Sequence, residues 1–97
     1  MGAALFRWSG QAAWQRIAGR VVIAAARSHS IHELNEVGSF VWEVLEEPCS
    51  VEEVARRILD EYEVDYDRAR EDAAGFVEQM RDRGLLEEAG AAGGRGE

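Results

Sequence analysis

Few side chains in this 97-residue sequence could do chemistry: His29, His32, the single cysteine Cys49 and several acidic groups. His29 and His32 stand three apart, which in a strand sends them to opposite faces and makes joint metal ligation poor. A zinc site would also need Cys49 or a carboxylate brought in from elsewhere. Cys49 follows Pro48 and has no evident base beside it. Its place just before a helix start would lower the thiol pKa somewhat, but a nucleophile also needs a surrounding pocket. Glu46-Glu47, Glu52-Glu53 and the Glu61/Glu63/Asp65 group read as solvated faces, because carboxylates paired for acid/base work need burial to separate their pKa values. No glycine-rich phosphate loop is present. These residues predict a protein without turnover of its own, with no catalytic residue, no metal and no cofactor.

The length allows one domain, and 46 % hydrophobic residues suffice for a modest core. No apolar run approaches the length of a membrane span, and the N-terminus lacks the apolar core of a signal peptide, so a cytoplasmic location is expected. A lone cysteine cannot form an intramolecular disulfide. Charge is uneven. Residues 1–32 hold 4 arginines and no acid, while residues 33–97 hold 7 arginines and all 19 acids, a net of +4 against −12. Lysine is absent. The acidic part argues against a nucleic-acid surface, and the basic part suits an acidic partner.

The elements that must position any site centre on His32 to Leu45, HELNEVGSFVWEVL. It begins as the end of a strand and turns helical after Asn35, a capping residue. Val37, Phe40, Val41, Val44 and Leu45 recur at helical spacing, and Gly38, Trp42 and Leu45 form a second stripe beside them. Three strands are expected before it, over 11–18, Val21 to Ala25 and His29 to Leu34, joined as an antiparallel meander with a tight turn at Gly19-Arg20. The third strand would be a free edge. The first helix should run from about Glu36 to Glu46 and stop before Pro48. Ser50 with Glu53 makes a capping box for a second helix. Asp65 caps a third, reaching Arg83 and ending at Gly84, after which Leu85 and Leu86 return to the core. Residues 1–10 are expected as a lead-in, either flexible or lying across a hydrophobic patch through Leu5, Phe6 and Trp8, with 11–88 as the domain and 89–97 as a flexible tail. The fold class is α+β and winged-helix-like, a three-stranded antiparallel sheet followed by three helices. A winged-helix DNA-binding regulator is one alternative function. The third helix opposes it, setting six acids against four arginines. A structural protein-interaction module is the other.

The residues also carry a family resemblance. Segments AWQRIAGRVVI at 13–23, HELNEVGSFVW at 32–42, SVEEVARRILDEYEVD at 50–65 and DAAGFVEQMRDRGLL at 72–86 resemble the PqqD family of pyrroloquinoline quinone biosynthesis and its relatives in other modified-peptide pathways. The Leu34-Asn35 pair, Gly38 and Val41-Trp42 are its most specific motif, and with Leu45 they are read as structural. Glu47-Pro48 departs from the Asp-Gly frequent at that turn. The resemblance implies a free-standing peptide chaperone. It would hold the leader of a ribosomally made precursor and present it to a modifying enzyme, in that pathway a radical S-adenosylmethionine protein. The leader would add as a strand beside the third strand and lie against the third helix. On that basis Ser30, Ile31, His32 and Glu33 are expected to offer backbone partners. Arg70, Ala74, Val77 and Arg81, spaced four, three and four, are expected as the helix side of the groove, its arginines pairing with leader carboxylates. The apolar stripe at Val37, Phe40 and Val44 would either join the internal core with the Trp42 stripe or, left outside it, serve a homodimer or an enzyme surface, and the open edge also invites pairing into a homodimer.

Overall fold

A computed structural model describes residues 3–91. Asn35 is extended and its side chain accepts from the Gly38 amide at 2.8 Å, which starts helix α1, Glu36–Val44. The expected capping box forms in full: Ser50 Oγ accepts from the Glu53 amide and Glu53 accepts from the Ser50 amide, opening α2, Val51–Glu61. Asp65 accepts from the Arg68 amide to open α3, Tyr66–Asp82, and Gly84 at φ +76° ends that segment in the left-handed region.

Ahead of the helices, β2 (Ala12–Ile17), β3 (Arg20–Ala25) and β4 (Ser30–Glu33) form an antiparallel sheet in the order β2-β3-β4. The architecture is α+β and winged-helix-like, an antiparallel sheet followed by a three-helix bundle. The hairpin turn falls on Ala18-Gly19, one residue earlier than expected, with φ of 53° and 84°. Two positive φ values match the twist that a two-residue hairpin requires. His29, expected inside the third strand, has φ 56° and belongs to the preceding turn, so β4 starts at Ser30.

The ends of the chain differ from the expected lead-in and tail. Ala4–Trp8 forms β1 and Leu86–Ala91 forms β5, and the two pair antiparallel in a second sheet. The remainder of the tail lies outside the described residues. Phe6 and Cys49 exchange backbone bonds of 2.8 and 3.0 Å, tying β1 to the α1–α2 connection. Trp8 stacks on Trp42 at 5.5 Å between ring centroids and donates its indole N–H to the Trp42 carbonyl at 2.7 Å.

The core gathers Val21 and Ile23 of β3 with Val41, Trp42 and Leu45, then Ile58 of α2 and Met80 of α3. Trp42 is fully buried, as its stripe with Gly38 and Leu45 predicts. The Val37/Phe40/Val44 stripe joins the core: Val44 is buried and Phe40 packs edge-on against Tyr62 at 5.6 Å. Both stripes of α1 thus contribute to the internal core. Ser39, also buried, joins sheet to helix. Its hydroxyl accepts from the Val21 amide at 2.8 Å and lies 3.4 Å from the Leu34 carbonyl. A side-chain oxygen thus enters the β3–β4 ladder and fixes the end of β4 to α1.

Candidate functional site

β4 is the edge of its sheet, and its hydrogen-bond phase follows from one bond. Leu34 donates to the Val21 carbonyl at 2.9 Å. In an antiparallel ladder bonded and non-bonded pairs alternate. With Ile23 opposite His32 and Ala25 opposite Ser30, those residues turn their backbone groups toward β3. Ile31 and Glu33 therefore turn theirs outward to the free edge. Side chains alternate in the other sense. Ser30 and His32 share the inner face with buried Ile23 and are half-buried, whereas Ile31 is 74 % exposed on the outer face. The His32 ring bonds Ser30 Oγ at 2.9 Å, and Ser30 bonds Ser28, so this histidine is held in a local polar chain. His29 stands in the turn. Among the described residues no cluster of three or more His, Cys, Asp or Glu is placed to hold a metal.

Two residues beyond β4 a cleft of about 510 Å³ opens between the start of α1 and one flank of α3. Asn35, Val37 and Gly38 line one wall, and Asp72, Gly75 and Phe76 are among the residues lining the other. A Cβ placed on Gly38 would lie 3.1 Å from Asn35 Oδ1 and 3.5 Å from the Phe76 ring, so the glycine lets the two helices close here. Gly75 is different: a Cβ there would meet nothing within 4 Å. Arg68 reaches Asp72 at 3.3 Å across one turn, leaving the wall mixed in charge.

The expected helix residues are not on this flank. Arg70, Ala74, Val77 and Arg81 recur on the opposite flank of α3, turned toward α2 and β1. Val77 is buried core. Arg81 sits over the Phe6 ring at 5.3 Å, and with Ala74 it lines a separate cleft of about 470 Å³ beside Phe6 and Val51. Arg70 is drawn to Glu52 at 3.3 Å. The Tyr66 hydroxyl also donates to that carboxylate, at 2.6 Å to its nearer oxygen, and this bond, more than Arg70, holds Glu52 below its ordinary pKa. Ser30–Glu33 and the Arg70–Arg81 row are thus not brought together. Helical spacing alone could not choose between the two flanks, because the choice depends on where β1 lies. Gly75 and Phe76, a glycine in mid-helix beside an aromatic, mark the flank that faces α1.

Cys49 shows no activation. Burial, then the Glu53 carboxylate, push its thiol pKa up, with Arg57 opposing weakly. Desolvation outweighs the helix-start effect expected for it. No described helix is long and apolar enough to cross a membrane.

Residues 20–86 match the family described as coenzyme PQQ synthesis protein D (PqqD). A solved chain described as TbiB1 in complex with the TbiA(beta) leader peptide is 30 % identical, with a TM-score of 0.77 over 84 % of this chain and 94 % of that one. A lasso peptide synthetase B1 complexed with the leader peptide shares the fold at 24 % identity, with a TM-score of 0.75 over 84 % of this chain and 96 % of that one. No protein of curated function matches.

Proposed function

The chain belongs to the PqqD family, and from that premise we propose that it is a leader-binding domain that serves a peptide-modifying enzyme. It is a non-catalytic recognition domain. On this reading the leader of a ribosomally made precursor adds as a strand along β4. Backbone bonds to Ile31 and Glu33 supply affinity, and side-chain pockets supply selection. Alternate leader side chains then point inward toward the cleft between α1 and α3, in place of the Arg70–Arg81 flank.

The observation that carries the reading is the open edge at Ile31 and Glu33, two residues before Asn35 at the mouth of that cleft. The two leader complexes of similar fold support it. For the finer identity, the family points to pyroloquinoline quinone synthesis and its radical S-adenosylmethionine enzyme. A leader from that pathway is therefore titrated beside the leader encoded next to this gene.

Amide exchange on isotope-labelled protein tests the edge directly. In the free chain the Ile31 and Glu33 amides should exchange fast and the His32 amide slowly, because only the last is bonded within the sheet. The cognate leader should protect Ile31 and Glu33 while leaving His32 unchanged. Protection confined to α2, or none with the cognate leader, would contradict the proposal.

A further inference from the structure

We propose that the cleft between the β3–β4 turn and the end of α3 is a carboxylate subsite, which takes the side chain of an aspartate or glutamate in the leader. This deepens the leader reading above and rests on it. Arg27 and Ser28 line one side of this cleft of about 270 Å³, and Asp82 and Arg83 line the other. Two guanidiniums are thus set against one carboxylate. Among the described residues neither Arg27 nor Arg83 makes an ion pair, whereas Arg16, Arg20, Arg68 and Arg70 all do. The carbonyls at the helix end already have donors of their own. The Arg83, Gly84 and Leu85 amides donate to Gln79, Arg81 and Met80, and Ser9 Oγ donates to the Gly84 carbonyl.

A chain of polar groups leads from this cleft onto the inner face of β4. Ser28 Oγ bonds Ser30 Oγ at 2.6 Å, and Ser30 Oγ bonds the His32 ring at 2.9 Å. The β4 edge therefore has two unlike ends. At the Asn35 end the cleft holds Val37, Val41 and Phe76, and its arginine, Arg68, is tied to Asp72. At the Ser28 end stand a hydroxyl and two guanidiniums without an ion pair. A guanidinium matches a carboxylate through parallel N–H donors, with bonds stronger than neutral ones. The acid's place in the leader follows from the strand alternation. A leader residue opposite Ile31 points outward with it. Counted toward the turn, the third residue beyond points inward at the level of Ser28, and that position holds the acid.

The test uses the full chain and the fluorescein-labelled leader encoded beside the gene, with each leader acid changed in turn to arginine. Arg27 and Arg83 are exposed, so Arg27→Glu and Arg83→Gln should fold as wild type does. Arg27→Glu should weaken the unaltered leader by about fivefold or more at low salt, and Arg83→Gln by less, both losses shrinking as salt rises. A single leader substitution should restore binding to Arg27→Glu, because only there does the new arginine meet the new glutamate. A merely structural Arg27 gives no such rescue. Leader affinity within about twofold of wild type for both variants overturns the subsite and leaves the leader reading standing. So does a leader without an acid at that spacing, or a loss that no leader substitution rescues. Unchanged leader affinity with slower precursor modification assigns the arginines to the enzyme and also overturns the proposal. Failure of the wild-type chain to bind leader overturns the leader reading, and this subsite with it.

Discussion

Trp42 shows how much of this molecule depends on single side chains. It is fully buried, stacked under Trp8, and its carbonyl receives the Trp8 indole N–H, while its own indole N–H has no partner. Packing rather than hydrogen bonding holds it. Trp42→Ala should cost about 3–5 kcal/mol, measured by chemical denaturation. That is a large share of a small domain's stability. A loss below about 1 kcal/mol would mean that the core closes over the gap. Cys49 is the opposite case, a reactive residue type made inert by its surroundings. Burial and the Glu53 carboxylate raise its pKa, so at a given pH a smaller fraction of it is thiolate than in the unfolded chain. Iodoacetamide should therefore alkylate the native chain more slowly than the unfolded chain at the same pH, with the gap narrowing as pH rises. Equal rates at neutral pH would contradict the burial argument. The sequence identified Trp42 because helical spacing is local information. It could not give the sign of the Cys49 shift, which depends first on how far the fold buries the thiol and then on the Glu53 carboxylate.

Helix α3 and its neighbour α1 carry a paired test at the scale of elements. Both Gly38 and Gly75 sit inside helices, where glycine costs about 1 kcal/mol relative to alanine. Gly75→Ala meets open space, so it should stabilise the chain by up to about 1 kcal/mol, a rise of about 4–8 °C in Tm. Gly38→Ala brings its methyl 3.1 Å from the oxygen that caps α1, and that oxygen cannot retreat without loosening its own 2.8 Å bond. A lost cap costs about 1 kcal/mol, which cancels the propensity gain, so no rise in Tm is expected there. The Gly75 methyl would also intrude on the cleft, so leader affinity should weaken as stability improves. Stabilisation with unchanged leader binding would move the leader away from this flank. The caps at Asn35, Ser50 and Asp65, the three helices and the open β4 edge were all legible, since each is written in neighbouring residues. Which flank of α3 faces α1 and which faces β1 was not, because helical periodicity is the same for both and only tertiary placement separates them.

At the scale of the whole chain, the ends close the fold. β1 and β5 are nearly the full sequence apart and carry no shared local signal, so residues 1–10 alone do not show that they pair with the other end of the chain. Leu5, Phe6 and Trp8 have no clear period. Their placement depends on a pairing between Trp8 and Leu86 that no window of sequence contains. In the structure Phe6 is 6 % exposed, and Ser9 bonds the Leu85 carbonyl through its amide and the Gly84 carbonyl through its hydroxyl. The strand therefore fastens the end of α3 to the rest of the core. Deleting residues 1–9 would remove Phe6 and Trp8 together, leave β5 unpaired and uncover Trp42. Losing a core aromatic such as Phe6 costs about 3–5 kcal/mol, the half-buried Trp8 adds to that, and a small domain has only about 5–15 kcal/mol in total. The truncated chain should show no cooperative thermal transition by circular dichroism, or one at least about 10 °C below that of the full chain. A cooperative melt within a few degrees of the full chain would instead restore residues 11–88 as a self-sufficient folding unit, with β1 an accessory strand.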